Sequence, residues 1–168
     1  MPNWCYNTAK ISGSKTEIER FVKFLKETED DSNEGWFTFF RPMPQKIKNT
    51  ENGWYEWSIN NWGCKWNCQV SDWTYDEDTN TVSLTFDSPW SPPIQLYEYI
   101  DQEFDEFNIS AEYCEEGIGF VGEFVDGRDD CYDFSDLEDL EYIPEHLVDN
   151  WNIRESLEER NFYEDEEE

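Results

Sequence analysis

The segment TVSLTFDSPWSPPIQLYEYIDQEFDEFNISAEY, residues 81–113, decides the fold class of this 168-residue chain. Val82, Leu84 and Phe86 alternate with Ser83 and Thr85, and a period of two predicts a half-buried strand. SPWSPP (88–93) ends it, with prolines that suit a helix start. Ile94, Tyr97, Ile100 and Phe104 then recur every three or four residues, the stripe of a helix packed along one side. Phe107, Ile109, Ala111 and Tyr113 return to period two. The segment reads strand, helix, strand.

The flanks repeat that logic. Cys5, Asn7, Ala9 and Ile11 alternate with Tyr6, Thr8 and Lys10 up to Gly13. Ser14 or Thr16 caps a helix carrying Ile18, Phe21, Val22 and Leu25 to about Lys26. EDDSNEG (29–35) reads as a loop, WFTFF (36–40) as a short apolar run, and 46–53 as a further loop. Trp54, Trp57 and Asn61 share one face of a short helix. Trp66, Cys68 and Val70 alternate, predicting a strand from near 66 to about Tyr75, and DEDTN (76–80) turns it into the strand at Val82. After Tyr113, EEG (115–117) turns into a strand through Ile118, Phe120, Gly122 and Phe124, and CYDF (131–134) offers an edge strand. The frame is βαββαβ, an α+β ferredoxin-like sandwich with helices on one sheet face. It carries an added strand and an aromatic insertion at about 36–65, and spans residues 1–134.

Residues 135–162 read as an acidic helical extension packed on that domain. Leu137, Leu140, Ile143, Leu147 and Trp151 step by three or four, Ser135 with Glu138 forms a capping box, and Pro144 starts a new helix. Asn152 caps a third segment carrying Ile153, Leu157 and an Arg154–Glu158 pair. Residues 163–168 read as a disordered acidic tail.

Four pieces together carry a resemblance: MPNWC with Asn7, WGCKWN at 62–67, FDSPWSPP at 86–93 and EEGIGFVGEF at 115–124. They resemble the phage- and plasmid-borne family of small proteins with a YubB-type ferredoxin-like domain, over roughly residues 1–126. The resemblance implies that fold and a mobile-element origin, and it brings no activity or catalytic residues. Cys64 stands where the family pattern has a small hydroxyl residue, and the extension after about residue 134 lies outside the pattern.

The net charge is −29, and it is uneven. Residues 94–168 hold 27 Asp/Glu against 3 Lys/Arg. Such a surface repels nucleic acid and anionic membranes and attracts basic proteins. No apolar run approaches 18 residues, and the N-terminus lacks the basic start and apolar stretch of a signal peptide. Five cysteines, an odd number, fit free thiols in a reducing bacterial cytoplasm.

Cys64-x3-Cys68 offers two metal ligands, but Cys114, Cys131 and His146 show no paired spacing to complete them, so no metal or other cofactor is expected. Trp62, Trp66 and Lys65 suit base stacking, with only Lys46 and Lys48 nearby as further cations. No phosphate loop, nucleophile elbow or zinc-protease motif is present, and DGRDD (126–130) lacks the calcium-loop pattern. The chain is therefore expected not to be an enzyme. The strongest feature is the acidity of segments that look folded. It points to a counter-defence inhibitor of phage type, whose DNA-mimicking surface blocks a basic host nucleic-acid-binding protein of CRISPR or restriction type. The residues expected to bind that partner are Glu138, Asp139, Glu141, Glu145, Asp149, Glu155, Glu158 and Glu159. Solubility alone is the competing account of the charge. An interaction module using exposed Trp54 and Trp57, or an RNA-binding ferredoxin-like module, are the other readings.

Overall fold

The computed structural model describes residues 3–30 and 34–166; part of the loop read at 29–35 lies outside them. Strand β1 (Trp4–Gly13) leads to helix α1 (Lys15–Thr28), three short helices α2 (Phe37–Phe40), α3 (Gln45–Lys48) and α4 (Gly53–Asn61), then strands β2 (Asp72–Asp76) and β3 (Thr81–Pro89). Helix α5 (Ile94–Glu103) and strands β4 (Phe107–Glu115), β5 (Phe120–Val125) and β6 (Arg128–Asp133) follow. The chain ends in a 3-10 turn (Asp139–Tyr142) and helices α6 (Glu145–Asn150) and α7 (Ile153–Glu166). The six strands run in the order β2-β3-β1-β4-β5-β6, with every pair antiparallel. The first four in that order are the ferredoxin-like sheet, and β5 and β6 extend it past β4.

Side-chain parity divides the sheet into two faces. Ala9, Ile11, Val82, Leu84, Phe86, Ile109 and Ala111 turn to the face covered by α1 and α5, where Ile18, Phe21, Leu96, Tyr97 and Ile100 complete the core. The insertion joins this core. Trp36 and Phe37 are almost wholly buried and meet Phe86 edge-on at 5.3 and 6.1 Å between ring centroids. WFTFF is thus a single helical turn: five residues with four rings have no room for a period, and burial on Phe21 and Phe86 selects the conformation.

The strand expected from residue 66 begins only at Asp72. Asn67 explains the delay. Its side chain donates to Gly35 O and Thr38 Oγ1 and accepts from the Phe37 N–H, so residues near 67 are committed to the insertion instead of to β3. The loop expected over 46–53 contains the turn of α3, started after Pro44. The Ser135–Glu138 capping box does not form. Asp139 Oδ2 accepts from Ser135 N, Ser135 Oγ and Asp136 N, and Asp136 Oδ1 from Glu138 N and Asp139 N. The shorter aspartates cap the tight 3-10 turn that a glutamate would cap in an α-helix. The tail read from residue 163 is helical to Glu166, and 167–168 lie outside the described residues. Among the described residues no ion pair joins Arg154 to Glu158, and Arg160 instead donates to Ser135 O.

The extension covers part of the second sheet face. Cys114, Val121 and Tyr132, in register across β4, β5 and β6, meet Leu140, Ile143, Leu147, Val148, Ile153 and Leu157 in a separate apolar cluster. Gly119 fastens its edge. It sits at φ 89°, and its carbonyl accepts from Phe134 N at 2.8 Å. A Cβ there would stand 2.2 Å from Phe134 O. Gly119→Ala therefore destabilises the fold by about 1–3 kcal/mol through backbone strain alone, read from urea unfolding.

Candidate functional site

Several of the residues that carry the family resemblance are joined by hydrogen bonds that hold neighbouring segments together. The buried Asn7 Nδ2 donates to Cys5 O and to Ser88 Oγ, both at 2.8 Å. Ser88 Oγ donates to Ser91 O, and Ser91 Oγ to Gly63 O. One relay thus joins MPNWC, FDSPWSPP and WGCKWN. Trp62 is buried, donates from its indole to Arg41 O at 2.9 Å and accepts from Leu96 N at its carbonyl. The buried Glu115 accepts from Gly117 N and Ile118 N and so shapes the β4–β5 turn.

Among the described residues, the cysteines take no part in a cluster of metal-ligating side chains. Cys64 and Cys68 both point their thiols at Trp66 O, at 3.4 and 3.5 Å. Burial raises the Cys5 and Cys68 thiols far above their ordinary value and pushes Cys114 up to about 12. Thiols so held are protonated at neutral pH and make poor nucleophiles.

Of the predicted partner-binding residues, Glu138, Glu141, Glu145, Asp149, Glu155, Glu158 and Glu159 are exposed along the 3-10 turn, α6 and α7. Asp139 is occupied as a cap, and the backbone N–H groups of Ser135 and Asp136 lower its pKa. Apolar residues between these acids are buried on the sheet, which fixes the backbone that carries them. Residues 135–162 hold nine Asp/Glu and two Arg.

Trp54 and Trp57 are half-buried, not free. Trp57 packs edge-on against Trp62 at 5.0 Å, while Trp54 lines a groove of about 280 Å³ with Met43, Lys48 and Trp66. Close by, Trp4 meets Trp66 edge-on at 6.1 Å. Trp90 is 46 % exposed at φ 70°, a strained backbone for a bulky residue.

A second site was not evident from the sequence. The extension leaves part of its sheet face open, and its edge walls a cleft of about 540 Å³. The floor is Thr8, Lys10, Ser83, Thr85 and Ser110, and the wall includes Glu112, Glu123, Asn150 and Trp151. The ladders place Asp72, Thr85, Thr8, Glu112, Glu123 and Asp130 side by side in one cross-strand row. Three adjacent members are acidic. His146 on α6 leans over that row, with Nε2 2.8 Å from Glu123 Oε2, and Asn150 Nδ2 donates to both Glu112 oxygens at 3.2 and 3.0 Å. An RNA-binding reading requires a basic-aromatic open face. This one sets Tyr6 and Lys10 among Asp72, Asp87, Glu112 and Glu123.

Comparison with known proteins agrees with the topology. Residues 65–164 match the family model described as "Ferredoxin-like domain in Api92-like protein". That span runs from before β2 into α7, and so takes in the extension. The crystal structure of the protein api92 from Yersinia pseudotuberculosis is similar at 20 % identity and a TM-score of 0.43, over 59 % of this chain. The chain spans 39 % of that protein's length. No curated protein matches.

Proposed function

From a chain that belongs to the family of ferredoxin-like domains in Api92-like proteins, we propose a non-catalytic binding protein that engages a basic, nucleic-acid-binding protein through its acidic extension. The observation that carries this reading is the docking of the extension. Leu140, Ile143, Leu147, Ile153 and Leu157 are buried on the sheet, so the seven exposed carboxylates stand on a fixed scaffold. In α7, Glu155 with Glu158 and Glu159 are one turn apart, which sets their side chains several ångströms from each other. Duplex DNA presents a charge about every 1.7 Å of axis on an equally rigid frame. Holding like charges this close works against folding, a drawback that a partner of opposite sign offsets. A restriction or CRISPR-type effector is the class of partner to test first, and obstruction of its nucleic-acid groove is the mechanism.

The test is retention of bacterial lysate proteins on the immobilised chain at low salt, with elution by duplex DNA. The expected result is a nucleic-acid-binding protein that DNA displaces, and that the charge-reversed variant Glu138→Lys, Glu141→Lys, Glu145→Lys retains at least tenfold less. If the retained proteins are indifferent both to DNA and to charge reversal, the reading fails.

The aromatic groove supports a second reading. Trp54, Trp66 and Met43 line it, and the strained, exposed Trp90 is a conformation that proteins keep mainly at working sites. Under that reading Trp54→Ala abolishes partner retention and charge reversal does not.

A further inference from the structure

We propose that Glu112, Glu123 and His146 form a binding site for a single divalent transition-metal ion of the zinc class. This goes beyond the acidic-partner reading and stands or falls separately from it. The three residues come from β4, β5 and α6, and one ligand atom from each lies within 4.8 Å of the others. Tetrahedral zinc with bonds of about 2.0–2.2 Å spaces its ligands roughly 3.3–3.6 Å apart. Small side-chain rotations about the held positions close that difference. The donor set is mixed, an imidazole nitrogen with two carboxylates, which suits zinc, manganese or iron(II) better than magnesium or calcium.

Two further features single this group out from the surrounding acidity. First, Glu112 and Glu123 are directly opposed across the β4–β5 ladder, and like charges so placed destabilise a sheet. Their cross-strand neighbours Thr8 and Asp130 supply no cation. Second, the ligands are already held. Asn150 donates to both oxygens of Glu112, the kind of outer contact that orients a metal-binding carboxylate. A metal ion would take the place of the 2.8 Å contact between His146 Nε2 and Glu123 Oε2. Three protein ligands leave a further position for water. The ion would also join the sheet to the extension, because the glutamates belong to the sheet and His146 to the extension.

Isothermal titration of the full chain with Zn²⁺, in a large excess of Mg²⁺ to occupy diffuse carboxylate sites, tests the proposal. The expected result is one Zn²⁺ per chain, bound at least tenfold more weakly by His146→Gln and by Glu123→Gln and equally well by Glu158→Gln. Circular dichroism checks that each variant is folded; His146 is exposed, so its replacement leaves the core intact. Co²⁺ in place of Zn²⁺ should give visible absorption bands that His146→Gln loses, and Zn²⁺ should raise the Tm of the native chain and not that of His146→Gln. Absence of a one-to-one event, or equal binding by the native chain and His146→Gln, overturns the proposal.

Discussion

Trp36→Ala lowers the free energy of unfolding by about 3–5 kcal/mol, the range for deleting a large buried ring. Trp36 is 1 % exposed and lies 5.0 Å from Phe37, 5.3 Å from Phe86 and 6.1 Å from Phe40, between ring centroids. These rings belong to the insertion and to β3, so the indole joins them. Its backbone N–H donates to Cys68 O at 3.0 Å, which ties the start of the insertion to its end. No small side chain fills the resulting space, because the neighbouring rings are rigid and mutually packed. Among the described residues the buried indole N–H has no hydrogen-bond partner, so Trp36→Phe removes an unmet donor along with part of the ring and is expected to lose less than half as much. A domain of this size has about 5–15 kcal/mol of stability in total, so the alanine variant approaches the unfolding threshold. Urea unfolding followed by circular dichroism measures both. A loss under about 1 kcal/mol for Trp36→Ala would mean that the insertion is an appendage and not part of the core.

The second large effect is at Leu147. It is wholly buried between α6 and the sheet, and Leu147→Ala is expected to lose about 2–5 kcal/mol. The loss should be local at first. The apolar cluster beneath the extension is separate from the main core, so hydrogen exchange is expected to quicken in α6 and α7 well before β1 and β3. The substitution leaves the charge at −29. It therefore separates rigid placement of carboxylates from charge alone. If fixed geometry matters, retention of a DNA-displaceable partner falls at least tenfold while its salt dependence persists. Undiminished retention by a chain with a loosened extension would reduce the acidic surface to a diffuse attractor.

The ferredoxin-like frame was legible because its strands alternate cleanly and α1 and α5 carry single apolar stripes. Val82, Leu84 and Phe86 are buried as the period of two requires. The insertion was not legible as helix, since a run of rings such as WFTFF has no polar face to set a period. Residues 66–70 misled for the opposite reason: their alternation is real, with Cys68 buried, but Asn67 binds the insertion, and the chain first meets β3 where Ser71 N donates to Thr85 O. The acidic stripe of the extension was readable, though Asp139 proved to be a cap. The convergence of Glu112, Glu123 and His146 was hidden by distance along the chain. One part was within reach. A hairpin turn centred between Gly117 and Ile118 sets Glu112 opposite Glu123, so placing that turn correctly pairs the two glutamates. Nothing local to His146 reveals that α6 folds back over them.

The outer strands of the sheet bear on how copies of the chain meet one another. β2 begins and ends with exposed aspartates, Asp72 and Asp76, and β6 reads RDDCYD. An open strand edge invites a second chain to add to it, and charge along the edge is a means of refusing. Two copies approaching edge to edge would set aspartates against aspartates. Cys131, exposed as a residue, lies on β6, where partial burial of its sulfur, then the charges of Asp129 and Asp133, raise its pKa. The strand most open to a neighbour therefore resists both ladder growth and the thiolate that would begin an intermolecular disulfide. Concentrated solutions of this chain should keep their thiols and their monodispersity together.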